Sequence, residues 1–337
     1  MNLELVSASI ATAILVCAPV SAAELNIYST REAALLAPLS QAYSEATGTK
    51  VNVVFLKDGL AERVAAEGEN SPVDIMMAVD AGNLIDLVEK GLTQPIKSET
   101  LKAAIPEQLR GADDQWFALS WRARVLYAAK ELKLSGFTYE ELASSRWKGK
   151  ICIRSGQHPY NTALMAAYIV HNGVAATEQW LTAFHDNLAR KASGGDRDVA
   201  KDILGGICEI GIANSYYAGL MRSGKGGAEQ VAWGEAINVV LPTFKDGGTH
   251  INISGAAVAK YAPNKDEAVK FLEFLVSDTS QEIYAKQNFE YPVKAGVALD
   301  PIIASFGELQ RDPIALEAIV SKRKEASQLV DKVGFDN

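Results

Sequence analysis

Short apolar strands alternate with amphipathic helices twice along this chain, and two long β-rich stretches separate the two series. In the first series, residues 25–28, 51–55 and 74–78 read as strands. Residues 34–46, 60–68 and 81–90 read as helices between and after them. The first helix repeats apolar side chains at Leu35, Leu36, Leu39, Tyr43 and Ala46, a helical spacing, and Gly48 closes it as a C-cap. Strand–helix repetition of this kind predicts a parallel sheet with helices on its faces. The second series runs from a strand at 150–153 through helices at 162–171, 175–189 and 198–204 to a strand at 208–213. Further helices are read at 264–276, 280–287 and 313–333. Residues 116–129 and 250–259 are long β stretches with polar side chains embedded in them. They predict two crossings between two α/β lobes, a hinge architecture with its ligand in the cleft between them.

Length and composition fit that plan. The chain has 337 residues, 48% hydrophobic and 22% charged, with a formal charge of −8. That is enough for one large or two medium domains with sizeable cores. No run of five or more Lys/Arg argues for a nucleic-acid surface. Residues 5–23 carry no charge, hold an apolar run at 10–17 and end in Pro-Val-Ser-Ala-Ala23. This reads as a cleaved secretory leader over residues 1–23, and it predicts a periplasmic protein. Cys17 follows Ile-Leu-Val, which resembles a lipoprotein box, but Val16 is bulkier than the small residue expected there, which argues against a lipid anchor. Removing the leader takes Glu4 away and leaves 33 basic against 40 acidic residues. Two cysteines remain, Cys152 and Cys208, both in apolar strand-like segments. Export permits a disulfide between them, with separate buried thiols as the alternative.

The pair Tyr216-Tyr217 stands where the apolar run from Cys208 ends. Asn214 and Ser215 are good N-caps, so the chain is expected to turn into a helix there. At such a turn both phenols converge on one cleft near the positive end of a helix dipole, a setting expected to favour phenolate. Phenolate is a hard oxygen donor suited to a hard cation such as ferric iron. On spacing alone two core or surface tyrosines are the commoner reading of such a pair.

Further segments accompany the pair: Trp121-Arg-Ala-Arg-Val125, Ile153-Arg-Ser-Gly-Gln-His-Pro-Tyr160-Asn, Asn26-Ile-Tyr-Ser-Thr-Arg31-Glu, Gly248-Thr-His-Ile-Asn-Ile-Ser-Gly255 and Asn288-Phe-Glu-Tyr-Pro-Val293. In this order and spacing the chain closely resembles the ferric-ion-binding proteins of bacterial iron ABC importers, over nearly the whole length after the leader. The resemblance implies a two-lobed class II periplasmic binding protein fold with two β-strand hinge crossings. Its lobes would be residues 24–120 with 247–297, and residues 121–246 with 298–337. It implies one Fe³⁺ as cargo, held by Tyr160, Tyr216 and Tyr217 and handed by a monomer to an ABC permease. Part of the family uses a His or Tyr after strand one; this chain has Glu32-Ala33 there. It resembles instead the members that complete the metal's sphere with carbonate. Arg31 and Arg124 are assigned to that anion, with Arg122 as their neighbour.

Three phenolates would neutralise a 3+ ion, and the planar fork of Arg matches a planar oxyanion. Tyr28, Glu32 and His158 are the side candidates, Tyr28 reading best as packing and Asp80 as an N-cap. A small-anion carrier clamped by arginines is the alternative cargo. An enzyme on the same scaffold lacks support: no Ser/His/Asp order, His-Glu-x-x-His or Cys-x-x-Cys is present.

Overall fold

The computed structural model describes residues 23–134 and 136–337. Residues 1–22 of the expected leader, Cys17 included, lie outside the described residues. The first lobe begins with β1 (Glu24–Ser29), α1 (Ala33–Thr47), β2 (Lys50–Phe55), α2 (Leu60–Glu67), β3 (Ile75–Ala78), α3 (Ala81–Glu89) and α4 (Glu99–Ala104). Strand β4 (Phe117–Ala129) leads to β5 (Ile151–Cys152), α5 (Pro159–Asn172), α6 (Val174–Asp186) and α7 (Asp196–Leu204). Then come β6 (Ile210–Asn214), α8 (Ser215–Arg222), α9 (Ala228–Glu235) and β7 (Ile237–Val240). The chain returns through β8 (Ile251–Val258) to α10 (Lys265–Leu275), α11 (Asp278–Lys286) and β9 (Tyr291–Pro292). It ends with α12 (Pro301–Ala304), α13 (Leu316–Val320) and α14 (Arg323–Lys332).

The strands follow the order β2-β1-β3-β8-β4-β6-β5, with β7 and β9 also paired to β4. Pairing of β1 with β2 and β3, and of β5 with β6, is parallel. The crossing strands join antiparallel: β8 to β3 and β4, and β4 to β6. The sheet is therefore mixed rather than simply parallel. A strand that returns from the other lobe enters the sheet from the opposite direction.

Strand β4 carries the crossing in one piece. Its residues up to Ala123 pair with β8, and from Arg124 onward it pairs with β6. Burial on both faces explains its apolar residues on either side of the embedded Ser120, Arg122 and Arg124. One core gathers Leu25, Ile27, Leu36, Phe117, Ile253 and Phe271. A second gathers Leu126, Ile153, Trp180, Phe184, Ile212 and Phe335. A third, smaller cluster holds Val125, Val199, Cys208, Ala213 and Met221 and packs against the tyrosines. The structure thus has two α/β lobes joined by β4 and β8.

Local chemistry sets the element ends. Gly48 takes the left-handed conformation at φ 76° after α1, and its N–H donates to the Ser44 carbonyl, as a C-cap requires. Asp80 caps α3 by accepting from the amides of Gly82 and Asn83, so the N-cap reading of Asp80 holds. The expected helix over 313–333 is broken at Ser321-Lys322 into α13 and α14. Among the described residues, no helix is long and apolar enough to cross a membrane.

Cys152 and Cys208 form a disulfide with their Cα atoms 5.8 Å apart. It ties β5 to the approach to β6, directly beneath the small cluster that backs the tyrosines. The bridge spans a sequence separation of 56 residues, so it removes considerable freedom from the unfolded chain. Reduction, or Cys208→Ser, should lower stability by about 2–4 kcal/mol, read as a drop in thermal midpoint. An unchanged midpoint after confirmed reduction would contradict this role.

Candidate metal centre

Two helix starts present the three phenols. Strand β6 is buried along its whole length and runs straight into α8, so Tyr216 and Tyr217 occupy the first turn of that helix. Their ring centroids are 4.1 Å apart. Ser215 accepts from the Ala123 amide at 3.2 Å and ties the helix start to β4. Asn214 sits at the N-cap position but makes no capping bond; its side chain accepts from Arg124 instead, at 3.1 Å. Gly219 permits close approach on the other side: a Cβ there would lie 2.4 Å from the Phe289 Cβ. Tyr160 stands in the first turn of α5, directly after Pro159. All three tyrosines are buried to within 9% of full burial, and all three line one cleft of about 540 Å³.

Strand alternation puts Ser120, Arg122 and Arg124 on one face of β4. Arg122 donates through Nη1 to Ser254 at 3.2 Å. Its Nε and Nη2 are buried and have no protein partner. It lines the cleft, with Cζ 5.3 Å from the Tyr160 ring centroid. Arg31 also lines the cleft, but Glu290 grips it bidentately, at 3.2 and 2.7 Å. Ser254 takes a further bond from Arg31 Nη1 at 2.8 Å.

Arg124 lies beneath the tyrosines and is absent from the cleft lining. Its Nη1 donates to Asp196 at 2.6 Å and to Asn214, and its Nη2 donates to Asn161 at 2.5 Å. One guanidinium thereby joins α5, which carries Tyr160, to α7 and to the end of β6, which leads into Tyr216 and Tyr217. Its Nη donors serve the scaffold and its Nε is left unpartnered, so the expected anion role of Arg124 finds no support in the cleft lining. Arg154, which sequence reasoning quoted but did not assign, takes the cleft-wall position instead. It donates to Asp196 at 3.3 Å, and its Nε is unpartnered. Glu290 was likewise missed; its only sequence signal was its place in Asn288-Phe-Glu-Tyr.

The remaining candidates separate cleanly. Tyr28 donates to Glu67 at 3.0 Å and accepts from Arg63, a packing role outside the cleft lining. Glu32 lines the cleft from the first lobe and is exposed. His158 lines it from the second lobe and accepts the Tyr160 amide proton on Nδ1 at 3.2 Å. Among the described residues, no group of three His, Cys, Asp or Glu is placed to hold a metal.

Protonation departs from expectation. Burial pushes the Tyr216 phenol well above its ordinary value, and the Tyr160 and Tyr217 phenols add to the rise, against Arg122. Tyr217 is raised by burial first and then by Tyr160 and Asp196. Desolvation outweighs the helix dipole and the arginines here, so both are neutral phenols until a cation enters. His158 is pushed down to about 3, by burial and then by Arg154, with Arg124 and Arg122 adding to it. Burial alone would raise the Asp196 carboxyl; Arg124 and Arg154 overcome that and hold it below its ordinary value.

Two α/β lobes, two crossing strands and a polar cleft lined from both lobes define a bilobal binding protein. The chain belongs to the bacterial extracellular solute-binding protein family, which it matches over residues 27–282. It is 39% identical over 317 residues to iron uptake protein A1 of Synechocystis sp., covering 93% of this chain and 87% of the relative. Its fold matches a Bordetella ferric binding protein with a TM-score of 0.87 at 60% identity, over 93% of this chain and 100% of the other. A Trichodesmium protein solved in complex with iron and citrate matches with a TM-score of 0.85 at 41% identity, over 93% and 99% of the two chains.

The placement of Arg124 makes it a stability residue. Arg124→Leu leaves Asp196 buried with Arg154 as its one charged partner, and should cost about 3–5 kcal/mol at neutral pH. The folded-state pKa of Asp196 is depressed, so its contribution is complete above the ordinary value of 3.8 and is lost as pH falls through the lower folded value. Thermal midpoints of wild type and variant should converge in that acid window. Equal midpoints at neutral pH would contradict the assignment.

Proposed function

We propose that this chain is a ferric-iron carrier that binds Fe³⁺ through Tyr160, Tyr216 and Tyr217, together with a small oxyanion, and delivers it to an ABC permease. The observation that carries the reading is the convergence of three phenols from two helix starts on one arginine-walled cleft. The iron-related names of its relatives point to the same cargo. On this reading the protein works in the periplasm as a monomer, and its lobes follow the 24–120/247–297 and 121–246/298–337 division.

Charge supports the ligand set. Around the tyrosines stand five guanidiniums, Arg31, Arg122, Arg124, Arg154 and Arg197, against two carboxylates, Glu290 and Asp196. The surplus is three positive charges while the phenols are neutral. A 3+ ion and three phenolates cancel each other and leave that surplus untouched. A dianion such as carbonate removes most of it. Arg122 and Arg154 are the residues to hold the dianion: both line the cleft with unpartnered donors, and neither is gripped bidentately by a carboxylate as Arg31 is, and a guanidinium matches a planar oxyanion. Arg31, neutralised by Glu290, has a lesser part.

The free donors of Arg122 also favour a second cargo, a small anion carried without metal. Colour separates the two, because an iron–phenolate protein absorbs visible light and an anion complex does not.

Protein purified at neutral pH should carry iron and a visible phenolate-to-iron band. Tyr216→Phe, Tyr217→Phe and Tyr160→Phe each remove one anionic oxygen and keep the ring. Each should weaken ferric binding by at least about a hundredfold and shift or abolish the band, since a ligand must deprotonate to bind. Wild-type affinity in all three variants would sink the ligand set.

The raised phenols give a pH signature. Tyr216 and Tyr217 must each release a proton on binding, so iron affinity should fall steeply as pH is lowered. Competition titrations against a chelator at several pH values measure the slope, corrected for the chelator's own protons. Affinity independent of pH between about 6 and 8 would contradict phenolate ligation.

A further inference from the structure

We propose that His158, which caps α5 through Nδ1, is a hydrogen-bond donor through Nε2 to the oxyanion that accompanies the metal, and is not a metal ligand. This rests on the carrier reading above. The argument begins at the helix start. Pro159 is the first residue of α5 and has no N–H, so the Tyr160 amide is the first that needs a partner. N-cap positions usually meet such an amide with a Ser, Thr, Asp or Asn oxygen. Here the imidazole does it, through Nδ1 at 3.2 Å.

That bond fixes the ring's chemistry. To accept, Nδ1 must keep its lone pair, so the single proton of the neutral ring is on Nε2. Nε2–H has no lone pair for a cation, so His158 cannot ligate a metal while it caps the helix. It is a donor only.

The ring is also held in place. It meets the Tyr160 ring edge-on, with centroids 4.5 Å apart at 70°. Among the described residues, no protein atom accepts from Nε2, and His158 lines the cleft together with Arg122 and Arg154. Both arginines keep buried donors without partners. The three side chains therefore present a set of donors and no acceptor. Such a set fits a fully deprotonated oxyanion with a planar carboxylate-type group, carbonate or a carboxylate, and disfavours a ligand that must itself donate. Holding the anion against the metal and Tyr160 makes His158 a determinant of which anion is accepted.

The test uses the full-length mature chain with two variants. His158→Ser keeps an N-cap oxygen and removes the cleft donor. His158→Asn keeps both a cap and a shorter donor. Nitrogen-15 spectra of the metal-free protein at neutral pH should show one imidazole protonated on Nε2 that is absent from His158→Ser. Iron loading, followed by the visible band, is then titrated with bicarbonate and separately with oxalate. His158→Ser should reach the wild-type band at saturating anion but need about tenfold more anion to do so, the worth of one hydrogen bond. His158→Asn should recover part of the loss. A shift with both anions assigns the donor to the carboxylate-type plane; a shift with bicarbonate alone assigns it to carbonate.

Protonation on Nδ1 would overturn the proposal. So would an unchanged anion requirement in His158→Ser, or loss of the band at saturating anion, which would make His158 a ligand. Wild type that shows the band with no anion dependence removes the donor role and leaves the tyrosine carrier standing. Wild type that neither binds iron nor colours removes the carrier reading itself, and the proposal with it.

Discussion

The cleft depends on one strand. β4 leaves the first lobe pairing with β8 and enters the second pairing with β6. On the way it turns Ser120, Arg122 and Arg124 to the same side. Ser120 and Arg122 meet Glu290 and Ser254, which come from the first lobe and the returning strand. Arg124 holds α5, α7 and β6 in the second. The strand that lets the lobes hinge therefore also carries the charges that organise the site. A one-residue slip in its register would turn all three side chains away.

Gathering five guanidiniums around two carboxylates is unfavourable unless something else supplies negative charge. Glu290 and Asp196 meet part of the demand through short, well-aligned bonds. What remains falls on the cleft wall, at Arg122 and Arg154. There the surplus faces the phenols of Tyr216 and Tyr217, whose ionisation burial opposes. On the proposed carrier reading, metal, phenolate and oxyanion would be mutually dependent: each would be costly in the cleft alone, and together they would offset one another. A carrier would gain from that coupling, because losing any one component, by protonation or by anion exchange, would loosen the rest.

Much of this was legible in the sequence. Strand–helix alternation and two long β stretches gave the two-lobed plan, since period and length report burial directly. The disulfide followed from compartment and strand context. Tyr216 and Tyr217 lie at a strand-to-helix turn that the residues themselves signal; Tyr160 came only from the family resemblance, since its helix, expected from residue 162, starts at Pro159, and the fold brings all three to one cleft. The ionic partners were not legible. Arg31 meets Glu290 across 259 positions of chain, and Arg124 meets Asp196 across 72. No local pattern says which arginine is neutralised and which keeps free donors. The protonation of the tyrosines was misjudged for a related reason, because a dipole and nearby cations can be read from sequence while full desolvation cannot. Helices α4 and α9 and strand β7 were missed as short elements whose existence depends on tertiary packing.

The most direct measurement is an ultraviolet difference spectrum of the protein titrated with gallium(III), a colourless stand-in for Fe³⁺, in the presence of bicarbonate at neutral pH. The account predicts one metal bound and a tyrosinate signal equal to three ionised phenols, reduced by one in each of Tyr160→Phe, Tyr216→Phe and Tyr217→Phe. Metal bound without a tyrosinate signal, or with a signal that those substitutions leave unchanged, would contradict it.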